Sequence, residues 1–236
     1  MSQETLALIG VAVVVGSFIQ GSTGVGFALI VAPVLGLLAP EQLPVCVLVL
    51  MLPLNAYVVW RERHALDLRS GAWISAGRLV GTVGGLWVLA VLSIRQLNIL
   101  IGLSTIAAAT VTLMMPTFKP ARSVFVAAGL ITGVTETATG IGGPPLALVY
   151  QHHPVAVMRS TIAICFLVGE LISLAFLWRA DRVHALQLVA ALQLVPALAV
   201  GALLSRLAHH RINARSLRVF VMGFSIVSGL VLLLRT

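Results

Sequence analysis

The residues best suited to chemistry in this sequence lie in two glycine-rich motifs inside apolar segments. The first, Gly21–Gly26 (GSTGVG), lies within 36 consecutive residues, 5–40, that contain no Asp, Glu, Lys or Arg. The second, Thr137–Pro145 (TATGIGGPP), begins 116 residues after the corresponding point of the first. A helix in hydrocarbon can break only where protein or a water-lined cavity satisfies the freed backbone groups. The two motifs therefore predict broken helices and a binding site near the membrane midplane.

Both motifs have the chemistry of an anion site. Glycine permits close backbone approach, and a helix that restarts after a break presents N–H groups and the positive end of its dipole. Threonine hydroxyls add further donors. The predicted substrate-binding residues are Gln20, Gly21, Ser22, Thr23, Gly24, Gly26, Thr137, Thr139, Gly140, Gly142 and Gly143. The alternative is close helix packing through small residues, as in GxxxG motifs.

Glu136 is the most informative single residue, because it lies in the apolar stretch 124–150. A carboxylate at the bilayer centre costs several kcal/mol and normally faces a cavity or a partner. We assign Glu136 to proton coupling or gating, with a structural hydrogen bond or ion pair as the alternative. Its counterpart in the first motif is Gln20, which cannot titrate. The two breaks are therefore predicted to share a substrate but not a role.

Arg78 lies eight residues inside another apolar segment and is the remaining candidate for anion binding. It could instead pair with Glu136 or extend its guanidinium to the membrane interface. Its counterpart in the second half is Leu198, so the repeat does not require an arginine. Glu170 is a second mid-segment acid with a weaker functional case, since no glycine motif adjoins it. Asn55 is predicted to form an interfacial or interhelical hydrogen bond.

Composition restricts the class of protein. The 236 residues are 59% hydrophobic and 9% charged, whereas a soluble domain carries about 25% charged residues. The 15 Lys and Arg exceed the 7 Asp and Glu, but most lie singly between apolar segments. This distribution indicates membrane topology and contact with anionic lipid, and it argues against a nucleic-acid partner.

Enzymatic, metal and cofactor roles have little support in the sequence. The two cysteines, Cys46 and Cys165, lie in separate segments and form no CxxC motif. The adjacent pairs His152–His153 and His209–His210 would not share a helix face, so metal binding is not expected. The sequence has no HExxH, GxSxG or Walker A motif. We therefore expect no enzyme activity, no cofactor and no metal.

Eight apolar segments are each long enough to approach the length of about 20 residues that spans a bilayer. The sequence therefore predicts an all-α polytopic membrane protein with short connections. The segments cover approximately residues 5–38, 42–60, 71–92, 97–115, 123–151, 157–178, 184–205 and 216–234.

The chain also repeats itself. His64–Leu66 (HAL) recurs as His184–Leu186, and Thr23-Gly24-x-Gly26 recurs in the second glycine motif. We predict two homologous transmembrane repeats, 1–116 and 121–236, joined at Pro116–Pro120 within one integral membrane domain. Internal repeats of this size are typical of transporters.

The distribution of basic residues bears on how the two repeats are oriented. If all eight segments cross, the basic residues divide almost evenly between the two sides. If the first and fifth segments are re-entrant, ten Lys and Arg fall on one side and four on the other, which satisfies the positive-inside rule. The second arrangement makes the halves inverted repeats. Whether these segments cross or re-enter is left open by the sequence.

The chain resembles the sulfite exporter TauE/SafE family of membrane permeases. The resemblance rests on Gln20-Gly21-x-x-Gly24-x-Gly26-Phe27 with Pro33 following, and on Gly133 followed by Gly140–Pro145. It implies transport of small anions, notably sulfite, sulfonates and other sulfur or carboxylate compounds, across the bacterial cytoplasmic membrane. Family members often have a small residue where this chain has Glu136, which implies a difference in coupling or in the anion.

The leading hypothesis is a multi-pass secondary transporter of the bacterial inner membrane. It would bind a small organic or sulfur-containing anion at the midplane through the N-termini of broken helices. The alternatives are an uncoupled anion channel and a non-transporting membrane scaffold or assembly factor. The expected partners are the anion and membrane lipid, with proton coupling and a homodimer as further expectations. The anion, the direction of transport and the coupling ion remain open.

Overall fold

The computed structural model describes residues 2–114, 120–150, 153–208 and 214–235. Within these ranges the chain forms ten α-helices, two short 3-10 helices (Pro40–Gln42 and Arg63–Ala65) and no strand. The predicted all-α class is confirmed; most of the predicted linker, residues 116–119, lies outside the described residues. The α-helices are α1 Gln3–Thr23, α2 Phe27–Leu38, α3 Val45–Arg61, α4 Leu68–Val91, α5 Ile94–Met114, α6 Arg122–Thr139, α7 Gly143–Tyr150, α8 Val155–Arg179, α9 Ala185–Ala208 and α10 Ala214–Arg235.

The eight predicted segments correspond to these helices. Six segments are single helices, whereas the first is the pair α1 and α2 and the fifth is the pair α6 and α7. Four helices, α1, α4, α8 and α9, are long and apolar enough to cross a membrane. The predicted broken helices are therefore present at the start of each half.

Glycine sets the geometry of each break. Gly24 has a φ of 88° and Gly140 a φ of 82°, a left-handed conformation that residues with a Cβ rarely adopt. The Gly24 N–H donates to the carbonyl of Gln20, and the Gly140 N–H donates to the carbonyl of Glu136, each at 2.7 Å. These bonds close the C-terminal turns of α1 and α6. Gly26, with a φ of 126°, then redirects the first break.

Small residues allow two helix pairs to pack with their backbones close together. Gly77 of α4 faces the backbone of Val126 of α6, and Gly81 faces that of Leu130, so the contacts follow the same order along both helices. Gly201 of α9 similarly faces the backbone of α1. In lipid, association of helices depends on such close packing. Each pair joins the two halves of the chain: α4 of the first half packs on α6 of the second, and α1 of the first half packs on α9 of the second.

Helices α3 and α8 pack against each other at the centre of the bundle and run in opposite directions. Glu62, at the C-terminal end of α3, contacts Arg159 near the start of α8. At the other end of the pair, Val45 of α3 packs in one cluster with Leu177 of α8. The α3–α8 pair therefore provides an axis along which the position of any site can be described.

The outer surface is apolar. Leu, Val, Ile and Phe side chains are exposed along most of the helices, as expected of a surface that faces lipid. All four tryptophans are exposed as well, namely Trp60, Trp73, Trp87 and Trp178. Each lies near a helix end, and tryptophan is enriched at the membrane–water interface. The fold is that of a multi-pass membrane protein.

Candidate functional site

Five buried polar side chains, which we call the polar chain, form two bonded groups in the core: three are joined by hydrogen bonds and two by an ion pair. Each is at most 2% exposed, and they come from five different helices. They are Gln20 of α1, Asn55 of α3, Glu170 of α8, Arg78 of α4 and Glu136 of α6. Such groups are costly to bury in a membrane protein unless they bind each other or a ligand, so this chain is the candidate functional site.

The first part of the chain is neutral. The Gln20 Nε2 group donates to Asn55 Oδ1 at 3.3 Å, and Gln20 Oε1 accepts the N–H of Phe27 at 3.1 Å. Phe27 is the first residue of α2, so Gln20 caps the restarting helix. The Asn55 Nδ2 group then donates to Glu170 Oε1 at 2.7 Å. One of the backbone donors predicted for the anion is thus held by Gln20.

The second part of the chain is charged. The Arg78 Nη2 group forms an ion pair with Glu136 Oε2, and Nη1 donates to the carbonyl of Cys165 at 2.9 Å. The guanidinium lies 5.3 Å from the centre of the Phe166 ring. It also lies directly on Gly169, where any Cβ would collide with it. Arg78 therefore pairs with Glu136 in the core and does not extend to the interface.

Three atoms of this charged region have no hydrogen-bond partner within the described part of the chain. They are Arg78 Nε, Glu136 Oε1 and Glu170 Oε2. More than 90% of buried polar groups in folded proteins are paired, so unpaired atoms need a specific explanation. Their grouping around one guanidinium indicates a place where a small polar ligand could bind.

The glycine turns at Gly24 and Gly140 pack against different helices of the bundle. A Cβ on Gly24 would contact Arg159, near the start of α8, whereas one on Gly140 would contact Val47, near the start of α3. Because α3 and α8 are antiparallel, the two turns lie towards opposite ends of the pair. The breaks nevertheless contact each other, because a Cβ on Gly143 of the second motif would lie 3.6 Å from the Cβ of Val25 in the first. The two breaks therefore meet at this point, and their position at the membrane midplane stays a prediction.

The hydroxyl groups of the motifs bond within the protein. The Ser22, Thr23 and Thr139 hydroxyls donate to main-chain carbonyls of their own motif segments, at 2.6 to 3.0 Å. The Thr137 hydroxyl shares a hydrogen bond of 2.8 Å with Ser173 of α8. These bonds stabilise the helix ends. A role in anion binding remains a prediction for these four residues, as it does for the motif glycines.

Comparison with known proteins places the chain in a family. A model of the sulfite exporter TauE/SafE family matches residues 8–232, nearly the whole chain. The chain belongs to the TauE/SafE family. No curated protein and no solved structure matches the chain. TauE/SafE is a family of membrane transporters for sulfite or related anions and not a family of enzymes, which agrees with the resemblance stated above.

The TauE/SafE chain also has a charged cluster at the first break that sequence analysis missed. Glu62 accepts from Arg159 Nε at 3.1 Å and from Arg159 Nη2 at 2.5 Å, and Arg61 donates to the same carboxylate at 2.9 Å. Arg159 and Arg61 also donate to the carbonyls of Ser22 and Gly21, at the end of α1. In the sequence these residues look like ordinary charges at segment ends.

Asn55 and Glu170 were given little weight in the sequence, yet both belong to the polar chain. Their positions deep inside apolar segments were the available signal for both residues. Across the described ranges, no group of three or more His, Cys, Asp or Glu residues could hold a metal ion. The candidate site contains one guanidinium, two carboxyl groups and two amides.

Proposed function

We propose that this TauE/SafE protein is a secondary transporter that moves a small organic or sulfur-containing anion, such as sulfite, a sulfonate or a small carboxylate, across the bacterial cytoplasmic membrane. The observation that carries the proposal is the buried guanidinium of Arg78. Arginine binds planar anions through its fixed fork of donors, and this guanidinium has an unpaired Nε.

The anion site would be centred on Arg78. Glu136 already neutralises part of its charge, so a bound anion would share the guanidinium with that carboxylate or displace it. Asn55 and Gln20 carry amide donors that could turn towards the anion from the neutral part of the chain. Two arginines at the first break, Arg61 and Arg159, would attract anions to that end of the bundle.

Alternating access would come from movement of one half against the other. The corresponding helices α3 and α8 run in opposite directions, which supports inverted repeats. The glycine turns lie towards opposite ends of this pair, so each could open one side of the membrane. Glu136 would act as a gating residue at the second break, because it links the last turn of α6 to Arg78 of α4.

The burial of the polar chain favours a transporter over the two alternatives. An open channel would expose the residues that contact the ion, whereas these five are almost completely buried. A scaffold without a ligand would have no use for three unpaired polar atoms in its core, since each costs about 1–3 kcal/mol.

Transport by purified protein in liposomes tests the proposal. Wild-type protein should take up labelled sulfite or methanesulfonate into the vesicles. Arg78→Lys keeps the positive charge but loses Nε and the planar fork, so it should reduce uptake at least tenfold while the protein stays folded. Arg69→Lys, an exposed arginine on the same helix, is the matched control and should transport normally. No uptake of any anion by wild-type protein, or full uptake by Arg78→Lys, would contradict the proposal.

A further inference from the structure

The core around Arg78 contains more negative than positive groups. Glu136 and Glu170 are both 0% exposed, and the Arg78 guanidinium lies against Gly169, the residue before Glu170. Arg78 forms its ion pair with Glu136, and its other bond goes to the Cys165 carbonyl. If both carboxyl groups were ionised, the core would keep one uncompensated negative charge. A buried charge without a partner is among the costliest features of a folded protein.

The contacts of Glu170 fit a neutral carboxylic acid. Its Oε1 atom accepts a hydrogen bond from Asn55 Nδ2 at 2.7 Å, as the carbonyl oxygen of an acid would. Its Oε2 atom is buried and has no partner among the described residues. An unpaired hydroxyl costs less in an apolar core than an unpaired, ionised oxygen, so Oε2 is the natural position for a proton.

The other titratable groups near α8 do not supply a second cation. Arg78 is the charged group that interacts electrostatically with Glu170. The remaining groups on the elements that pack against α8 are Cys46, Tyr57 and Arg61 of α3, Arg63 and His64 of the 3-10 helix, Arg69 of α4, Arg122 and Glu136 of α6, and Tyr150 of α7. The arginines among them lie at or near the ends of their helices, as do Arg159 and Arg179 of α8, and Cys165 is the other titratable group on α8.

We propose that Glu170 is the proton-binding residue of this transporter and that one proton on Glu170 accompanies one anion on Arg78. The Arg78–Glu136 pair is neutral, so either an anion or an ionised Glu170 adds one negative charge, and both together would add two. Anion binding and a proton on Glu170 therefore favour each other. Once the anion has left, Glu170 can ionise on the side of higher pH, where the O–H bond at Oε2 breaks and the proton passes to water. This inference rests on the proposed function, and it names the proton as the ion coupled to anion transport.

Infrared spectroscopy tests the proton directly and needs no transport. Wild-type protein at neutral pH should show the C=O band of a buried, protonated carboxyl group. Glu170→Gln should remove that band, because glutamine matches the neutral acid in shape but has no carboxyl group. Glu62→Gln, which removes an ion-paired glutamate at the first break, should leave the band in place. Absence of the band from wild-type protein, or its persistence in Glu170→Gln, would overturn the assignment even if transport is demonstrated.

The pH dependence of anion binding tests the coupling. We would measure binding of methanesulfonate, which stays ionised throughout the range, from pH 6 to pH 9. In wild-type protein the affinity should fall with rising pH, approaching about tenfold per pH unit where one proton is linked to one anion. Glu170→Gln should bind with an affinity that no longer changes with pH. Equal slopes in the two proteins would overturn the coupling, whereas absence of binding in wild-type protein at every pH would count against the transporter itself.

Discussion

The two helix breaks have the same backbone geometry and different surroundings. At the first, Gly24 packs on Arg159, and Ser22 and Thr23 are partly exposed. At the second, Gly140 packs on Val47, and residues 137–144 of the motif are buried. Four residues before each of Gly24 and Gly140 a polar side chain reaches inwards, but Gln20 is neutral whereas Glu136 is charged and paired with Arg78.

This difference separates two properties of a break: its turn geometry, which the local sequence decides, and its surroundings, which packing decides. Left-handed glycines produce the same turn wherever they occur, because the constraint is steric. At each turn one arginine comes from a helix of the other half, and at the first turn this is Arg159 of α8. Arg78 of α4 serves the second break, and its counterpart Leu198 on α9 is a buried apolar residue beside the first half. The second break thus has a fully buried ion pair, whereas the first has the partly exposed charged cluster of Arg61, Glu62 and Arg159.

Replacing Arg78 by leucine should have the largest effect. It would make the surroundings of the second break resemble those of the first, because the counterpart of Arg78 is Leu198. Arg78→Leu leaves Glu136 buried without its cation, which costs about 3–5 kcal/mol of stability. The double variant Arg78→Leu/Glu136→Gln has the residue types of the first break and should recover most of this loss, but not transport. Thermal unfolding in detergent measures both. An unchanged unfolding temperature in Arg78→Leu would show that the pair does not stabilise the fold.

The next largest difference concerns helix packing beside the two breaks. A methyl group on Gly81 would collide with the main-chain carbonyl of Leu130, which cannot move away, and overpacking of this kind costs about 1–3 kcal/mol. A methyl group on Gly21 would meet the side chain of Ser205, which can rotate. Gly81→Ala should therefore destabilise the protein more than Gly21→Ala in thermal unfolding. Gly223→Ala, which faces open space, is the control, and a larger loss for Gly21→Ala would reverse the comparison.

The glycine turns themselves should respond equally. Alanine at Gly24 or Gly140 must adopt a left-handed conformation, at a cost of about 1–2 kcal/mol in either position. Both variants should also lower the rate of anion uptake, because each turn fixes the direction of the following helix. Gly10→Ala, on the same helix as Gly24 but facing open space, should be neutral or slightly stabilising. Very different losses for Gly24→Ala and Gly140→Ala would mean that tertiary contacts, and not the turn, dominate.

Glu62→Gln should have the smallest effect. The ion pairs of Glu62 with Arg159 and Arg61 are partly exposed, and pairs near the surface contribute about 1 kcal/mol or less. The loss should shrink as salt is raised, since salt screens exposed pairs. Unfolding temperatures at low and high ionic strength measure this. A loss as large as that of Arg78→Leu would show that the first break depends on charge as strongly as the second.

Much of the fold was predictable, and the site was predictable in part. Long apolar runs place the helices because few other structures satisfy backbone groups in lipid. The ion pair of Arg78 with Glu136 was one of the alternatives that the sequence suggested. The functional importance of Glu170 was given too little weight, because no glycine motif lies next to it in the sequence. The cluster of Glu62 with Arg159 was missed, because residues 97 positions apart carry no local signal that they will meet.

The sequence by itself determined that the chain is a helical membrane protein, that glycine breaks two of its segments, and that polar residues lie inside apolar ones. Each of these follows from local chemistry: hydrophobic length, φ angles and the cost of burying charge. The tertiary structure alone decided that the two glycine turns lie towards opposite ends of the α3–α8 pair while Val25 and Gly143 bring the breaks into contact, and that five polar residues from five helices gather in the core. Contacts between distant helices depend on packing, and no single segment encodes the partner that it will meet.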